Sequence, residues 1–131
     1  MLLDTSGLLC CFDADDDRHH DAVAFYKSAA SRLAHNYVIA EFVALATARR
    51  LPPQPSLDFA AAIFADAEVE VVWVDQALHN EAMTLLKAQT DKNYSHCDAV
   101  SFVLMRHRKV NDALTTDGHF EQAGFRRLLP R

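Results

Sequence analysis

The sequence predicts an α/β fold, with an open parallel sheet of short strands flanked by helices. Short apolar or β-branched runs alternate with helical patterns along the chain, the arrangement that buries a parallel sheet between two helical layers. Half of the residues are apolar, which supports a packed core and argues against disorder. Four acids, Asp4, Glu41, Asp98 and Asp117, each stand alone in apolar or turn-like surroundings.

Met1 to Leu3 reads as a short apolar strand ended by Asp4, and Thr5 to Phe12 as a first helix. Asp13 to Asp17 is an acidic turn. His20 to Leu33 repeats apolar residues at helical spacing: Ala22, Val23, Phe25, Tyr26, Ala29, Ala30 and Leu33. Asn36 to Ile39 is a strand candidate feeding a helix from Ala40 to Arg50. The prolines after Leu51 mark a helix stop and turn, and Leu57 to Ala67 is helical by pattern. Glu70 to Val74, rich in valine, is the clearest strand. Asp75 is placed to cap a helix running to about Thr90. Cys97 to Arg108 supplies another helix, and Ala113 to Thr115, a turn at Asp117-Gly118 and an edge strand at Phe125 to Leu129 close the chain.

At 131 residues the chain is expected to form one domain, residues 1–131. No apolar run approaches the roughly 20 residues of a membrane span, and no basic leader precedes Asp4, so a soluble cytoplasmic protein is expected. Three cysteines, Cys10, Cys11 and Cys97, show no zinc spacing and read as reduced packing residues. The net charge of −5 argues against a generic nucleic-acid coat, although not against a nuclease. Arg49-Arg50, Arg106 to Lys109 and Arg126-Arg127 read as solvated helix ends.

Three glycines exclude a P-loop and a dinucleotide fingerprint, and neither HExxH nor GxSxG occurs. Asp13 to Arg18 superficially matches a calcium loop, but Arg18 stands where glycine is required and Ala24 where the bidentate glutamate belongs.

Singly, Asp4, Asp98 and Asp117 are each explained as helix caps or first-turn acids. Glu41 is not, because Ala44, Leu45 and Ala48 offer it no cation. Asp4 and Asp117 fall just past strands and Glu41 and Asp98 in the first turns of helices, so all four point toward the carboxyl edge of the sheet. Gathered there, their repulsion is most simply relieved by a divalent cation, and an all-carboxylate set favours Mg²⁺ or Mn²⁺.

With these residues in place, the sequence resembles the PIN-domain ribonucleases, and among them toxins of the VapC type, over nearly its whole length. Leu3-Asp4-Thr5-Ser6 is similar to the opening Asp-x-Ser element, and Tyr37 to Glu41 to the second acid's segment. Cys97-Asp98-Ala99-Val100-Ser101-Phe102 resembles the third. Thr115-Thr116-Asp117-Gly118-His119-Phe120 resembles the fourth, Thr-x-Asp with a trailing His-Phe. Cys97 departs from the threonine often found there.

The resemblance implies a three-layer PIN-like fold with four or five strands and metal-dependent cleavage of RNA as an endoribonuclease. It implies Asp4, Asp98 and Asp117 as metal ligands, Glu41 completing the cage or orienting water, and Ser6 and Thr115 supporting the carboxylates. A cognate antitoxin protein of a type II pair and a homodimer are further implications. Leu8, Leu9, Phe12 and Phe42 to Leu45 offer an apolar groove for an antitoxin helix, with core packing as the alternative. Three other readings stay open: a PIN nuclease of RNA processing without antitoxin, a receiver-like phosphoacceptor module, and a non-catalytic scaffold. Lys109 is misplaced for the receiver's late lysine.

Overall fold

A computed structural model describes residues 1–130. The elements run β1 (Leu2–Leu3), α1 (Thr5–Phe12), α2 (His19–Ser28), β2 (Arg32–His35), α3 (Asn36–Ala48), α4 (Pro53–Ala65) and β3 (Val69–Val72). They continue through α5 (Gln76–Ala88), α6 (His96–Arg108), β4 (Asp112–Leu114), α7 (His119–Gln122) and β5 (Arg126–Arg127). The five strands form one sheet in the order β3-β2-β1-β4-β5, and every pairing is parallel. The first three strands step outward from β1, and the chain then returns to its other side. The order therefore reverses between β1 and β4, where parallel sheets open a crevice at their carboxyl ends.

Side chains alternate across each strand, and the sheet uses both faces. Leu3, Ala34 and Leu114 join one core with Leu8 and Leu9 of α1, Phe42 of α3 and Ile63 of α4. Leu2, Leu33 and Ala113 join the opposite core with Phe102 and Met105 of α6 and Phe120 of α7. The second core extends outward, where Leu78 and Ala82 of α5 meet Ala99, Val100 and Val103 of α6. From Cys97 to Met105 every residue of α6 is buried, so this helix has little solvent face.

Several boundaries differ from the sequence expectation. The helix expected over His20 to Leu33 ends at Ser28, and β2 occupies Arg32 to His35, upstream of the expected strand at Asn36 to Ile39. Arg-Leu-Ala-His has no β-branched residue, whereas Val38-Ile39 does, so propensity pointed to the wrong segment. Tertiary contacts decide the matter. Arg32 to His35 pair with Val69 to Val72, and the buried Arg32 guanidinium donates to the carbonyls of Tyr26 (2.7 Å) and Lys27 (3.2 Å), satisfying the end of α2.

Helix α3 consequently begins at Asn36, and Glu41 lies beyond its first turn, not within it. Helix α4 starts at Pro53, earlier than Leu57, because proline is tolerated where no helical N–H is needed. Arg49-Arg50 and Arg106 to Lys109 do follow or end helices, but Arg126-Arg127 is the edge strand β5 and α7 was not foreseen. Asp75 caps α5 as expected, accepting from Leu78 N at 2.8 Å. Leu8, Leu9 and Phe42 are at most 2 % exposed, so the core-packing reading holds for them and they form no open groove.

The three cysteines are free. Burial pushes the Cys11 thiol up to about 12 and raises Cys97 as well, which keeps both as unreactive packing groups. Among the described residues no helix is long and apolar enough to cross a membrane.

Helix α1 lies directly against β4 at Gly7, where an added Cβ would sit 1.9 Å from the Leu114 carbonyl oxygen. Gly7→Ala is expected to lower stability by about 3 kcal/mol, read as the urea midpoint. Gly118→Ala, whose Cβ would meet nothing nearer than Arg127 Nη1 at 3.8 Å, should move it by less than about 1 kcal/mol. Equal midpoints for the two variants would refute the close approach of α1 to β4.

Candidate active site

The β1–β4 register sets Leu3 beside Leu114, so the residues that follow, Asp4 and Thr115, emerge side by side. Asp4 occupies the N-cap position of α1 but makes no side-chain cap hydrogen bond. Instead its Oδ2 accepts from Thr115 Oγ1 at 2.7 Å and from Ser6 Oγ at 3.2 Å. Ser6 Oγ accepts from Thr116 N at 3.0 Å, and Thr115 Oγ1 from Asp117 N at 3.0 Å. With those acceptor roles filled, the single Thr115 proton is free for Asp4. The chain of bonds continues as His119 N donates to Asp117 Oδ1 at 2.9 Å. One network thus ties the carboxyl ends of β1 and β4 together.

Asp98 reaches the same place on α6. It closes a capping box, accepting from Ser95 N at 3.1 Å while its own N–H donates to Ser95 Oγ at 3.0 Å. The cap reading is therefore correct for Asp98 without accounting for its neighbours. Its Oδ2 lies 3.4 Å from His119 Nδ1, and Asp117 Oδ1 lies 3.5 Å from the same nitrogen. Ligand atoms of Asp98, Asp117 and His119 all fall within 4.8 Å of one another. Asp4 stands outside that group, although near enough for Asp98 and Glu41 to act on its charge. Among the described residues Glu41 has neither ion pair nor side-chain hydrogen bond, and no lysine or arginine pairs with any of the four acids.

The electrostatic consequence is largest at Asp4. Burial, with further contributions from the Asp98 and Glu41 charges, raises its carboxyl to about 7 against the opposing hydrogen bond from Thr115. Burial also raises Asp98; the Asp117 charge adds to the rise, and Ser95 N–H and His119 oppose it. His119 Nδ1 is buried with no hydrogen-bond partner. Clustered acids paired with no lysine or arginine among the described residues, together with an orphaned nitrogen, suit a divalent ion. A cavity of about 790 Å³ lies elsewhere, lined by Arg32, Glu68, Glu70 and Arg108 near the amino end of the sheet.

The family model for the PIN domain matches residues 1–126. The chain belongs to the PIN-domain family. The PIN domain is a nuclease fold whose enzymes depend on metal. Curated relatives from two Mycobacterium tuberculosis strains, CDC 1551 and H37Rv, are each named 23S rRNA-specific endonuclease VapC20; both are 31 % identical over 131 residues, 99 % of this chain and 98 % of theirs. The crystal structure of M. tuberculosis VapC20, described as a sarcin–ricin loop cleaving toxin, superposes with a TM-score of 0.87 at 31 % identity, covering 95 % of each chain. This PIN domain is thus a homologue of the VapC-type ribonuclease toxins, and the receiver alternative falls.

His35 was overlooked in the sequence. It is fully buried at the end of β2, its Nε2 lies 2.8 Å from Ser101 Oγ, and its Nδ1 accepts from Val38 N at 3.3 Å. The Nδ1 lone pair is committed to the helix, so Nε2 carries the proton toward Ser101. One imidazole thereby joins α3, which carries Glu41, to α6, which carries Asp98. Burial holds it neutral, lowering its pKa from 6.5 to about 4. Its sequence signal is faint, a histidine just ahead of a helix.

Two stability measurements test this electrostatic picture. His35→Leu should cost about 2 kcal/mol at pH 7. The unfolded chain protonates His35 near pH 6.5 and the folded chain only near 4, so the parent loses this stability as pH falls through that window. The variant's deficit should shrink accordingly in acid unfolding curves.

Asp4 has the opposite sign. The folded chain retains its proton up to about pH 7, whereas the ordinary value is 3.8, so stability falls as pH rises between them. In EDTA, Asp4→Asn should exceed the parent by roughly 4 kcal/mol at pH 8, with the advantage vanishing toward pH 4. A pH-independent difference would contradict the burial of that charge.

Proposed function

We propose that this PIN domain, residues 1–131, is a Mg²⁺- or Mn²⁺-dependent endoribonuclease and the toxin of a type II toxin–antitoxin pair. The observation that carries the reading is the meeting of acids from four separate segments at one edge of a nuclease fold, with no lysine or arginine paired to them among the described residues. Asp4, Asp98 and Asp117 are read as the holders of the cation, since carboxylate oxygens suit hard ions. When bound, such an ion supplies polarisation of a phosphate and water acidic enough to attack near neutral pH. Ser6 and Thr115 hold the Asp4 carboxylate in one orientation through their hydroxyls. Glu41, without a side-chain hydrogen bond or ion pair among the described residues, has oxygens to orient the attacking water and take its proton.

The VapC20 relatives are named for 23S rRNA, and full-length similarity supports a structured ribosomal RNA loop as this chain's substrate class. Such loops are recognised by shape and by splayed bases. An antitoxin belongs to the same reading. Support comes from an apolar groove of about 220 Å³ between α1, α2 and α4, lined by Cys11, Val23, Tyr26, Phe59 and Ile63, which suits an amphipathic helix. Exposed Trp73 and Leu57 supply apolar surface for a homodimer. A toxin that cleaves ribosomal RNA works in the cytoplasm.

The test is cleavage of total ribosomal RNA and of a sarcin–ricin loop oligonucleotide by purified chain with Mg²⁺ or Mn²⁺. Defined cuts should appear and be abolished by EDTA. Asp4→Asn and Asp98→Asn should each reduce the rate by at least about 100-fold. Metal-independent cutting, or full activity in both variants, would sink the assignment.

A further inference from the structure

Resting on the metal-dependent reading above, we infer that His119 joins Asp98 and Asp117 as a ligand of the divalent ion, in a mixed nitrogen and oxygen site that prefers Mn²⁺ to Mg²⁺. The three ligand atoms are mutually within 4.8 Å. The ring is fixed in place: its backbone N–H is bonded to Asp117 Oδ1 at 2.9 Å, the Tyr94 ring meets it edge-on at 5.5 Å, and the next residue, Phe120, is fully buried.

Other histidine nitrogens show what sets this one apart. His35, His79, His19 and His107 each have a partner at 2.7–2.9 Å. His96 Nε2 is also orphaned, but its ring packs against Tyr37 and His79 and not against carboxylates. Among the described residues only His119 presents a nitrogen without a hydrogen-bond partner to two acids.

Its separations of 3.4 and 3.5 Å exceed the roughly 2.7–2.9 Å of a charge-assisted hydrogen bond. The nitrogen and the two carboxylate oxygens are close enough together for one cation to bind all three. Imidazole raises affinity for transition ions, while Mg²⁺ gains little from nitrogen.

The experiment is pulsed electron paramagnetic resonance of Mn²⁺ bound to the full chain, with affinities for Mn²⁺ and Mg²⁺ measured by calorimetry. The parent should show nitrogen hyperfine coupling that changes when histidine is labelled with the heavy nitrogen isotope. His119→Phe, which keeps a ring against Tyr94, should lose the coupling and bind Mn²⁺ at least about tenfold more weakly, while Mg²⁺ affinity changes less than about threefold. Isotope labelling of the parent gives the answer even if the variant fails to fold. Bound Mn²⁺ without nitrogen coupling overturns His119 ligation but leaves a carboxylate-held metal intact. Tighter Mn²⁺ binding by the variant also overturns it, making His119 the acids' own counter-ion. No Mn²⁺ or Mg²⁺ binding at all overturns both this inference and the metal-dependent reading.

Discussion

The parallel register of β1 against β4 is the constraint on which the rest of the site depends. Leu3 beside Leu114 makes Asp4 and Thr115 neighbours, although 111 positions separate them in the chain. Asp4 N–H donates to the Leu114 carbonyl at 3.2 Å, extending the sheet's hydrogen bonding to the acid itself. Gly7 lets α1 settle onto that same carbonyl, so a side chain there would push the helix away from the strand that supports Asp117. A one-residue slip would exchange the two faces of β1 and expose Leu3 or Leu2 to the wrong core.

Around this junction the protein gathers charge that its own interior opposes. Asp4 and Asp98 are buried and near like charges, and their protonation equilibria shift in the direction that neutralises them. Hydroxyls from Ser6 and Thr115 and the Ser95 N–H give partial compensation as hydrogen bonds, not as counter-charge. Net stability is therefore lower than an uncharged site would allow, the usual relation between a preorganised site and the stability of its scaffold. A cation bound there would convert the same arrangement from a cost into an attraction.

Rigidity comes from histidine and aromatic packing more than from ion pairs. Buried His35 spans α3 and α6, and Phe102 meets Phe120 edge-on at 4.9 Å, anchoring α7 beneath His119. The ion pairs outside the site, such as Arg108 with Glu70 and His107 with Glu81, are largely exposed and contribute little. The Asp13 to Arg18 turn, with Asp16 accepting from Arg18 N at 2.8 Å, is stitched by its own side chains.

The α/β class, the capped start of α5, the existence of α6 and the four isolated acids were all legible, because each is written in local pattern: hydrophobic period, a capping residue, a charge without a partner. Ser6 and Thr115 were legible only through the motifs beside those acids. β2 was not, because its strand state depends on pairing with Val69 to Val72 and on the buried bonds of Arg32 and His35, not on propensity. The sequence by itself determined that four acids needed a common solution. Tertiary structure alone decided which atoms face one another, setting Asp98, Asp117 and His119 in one tight group and Asp4 behind two hydroxyls. The reason is physical: burial and a lone pair without a partner arise only when separate segments exclude water between them.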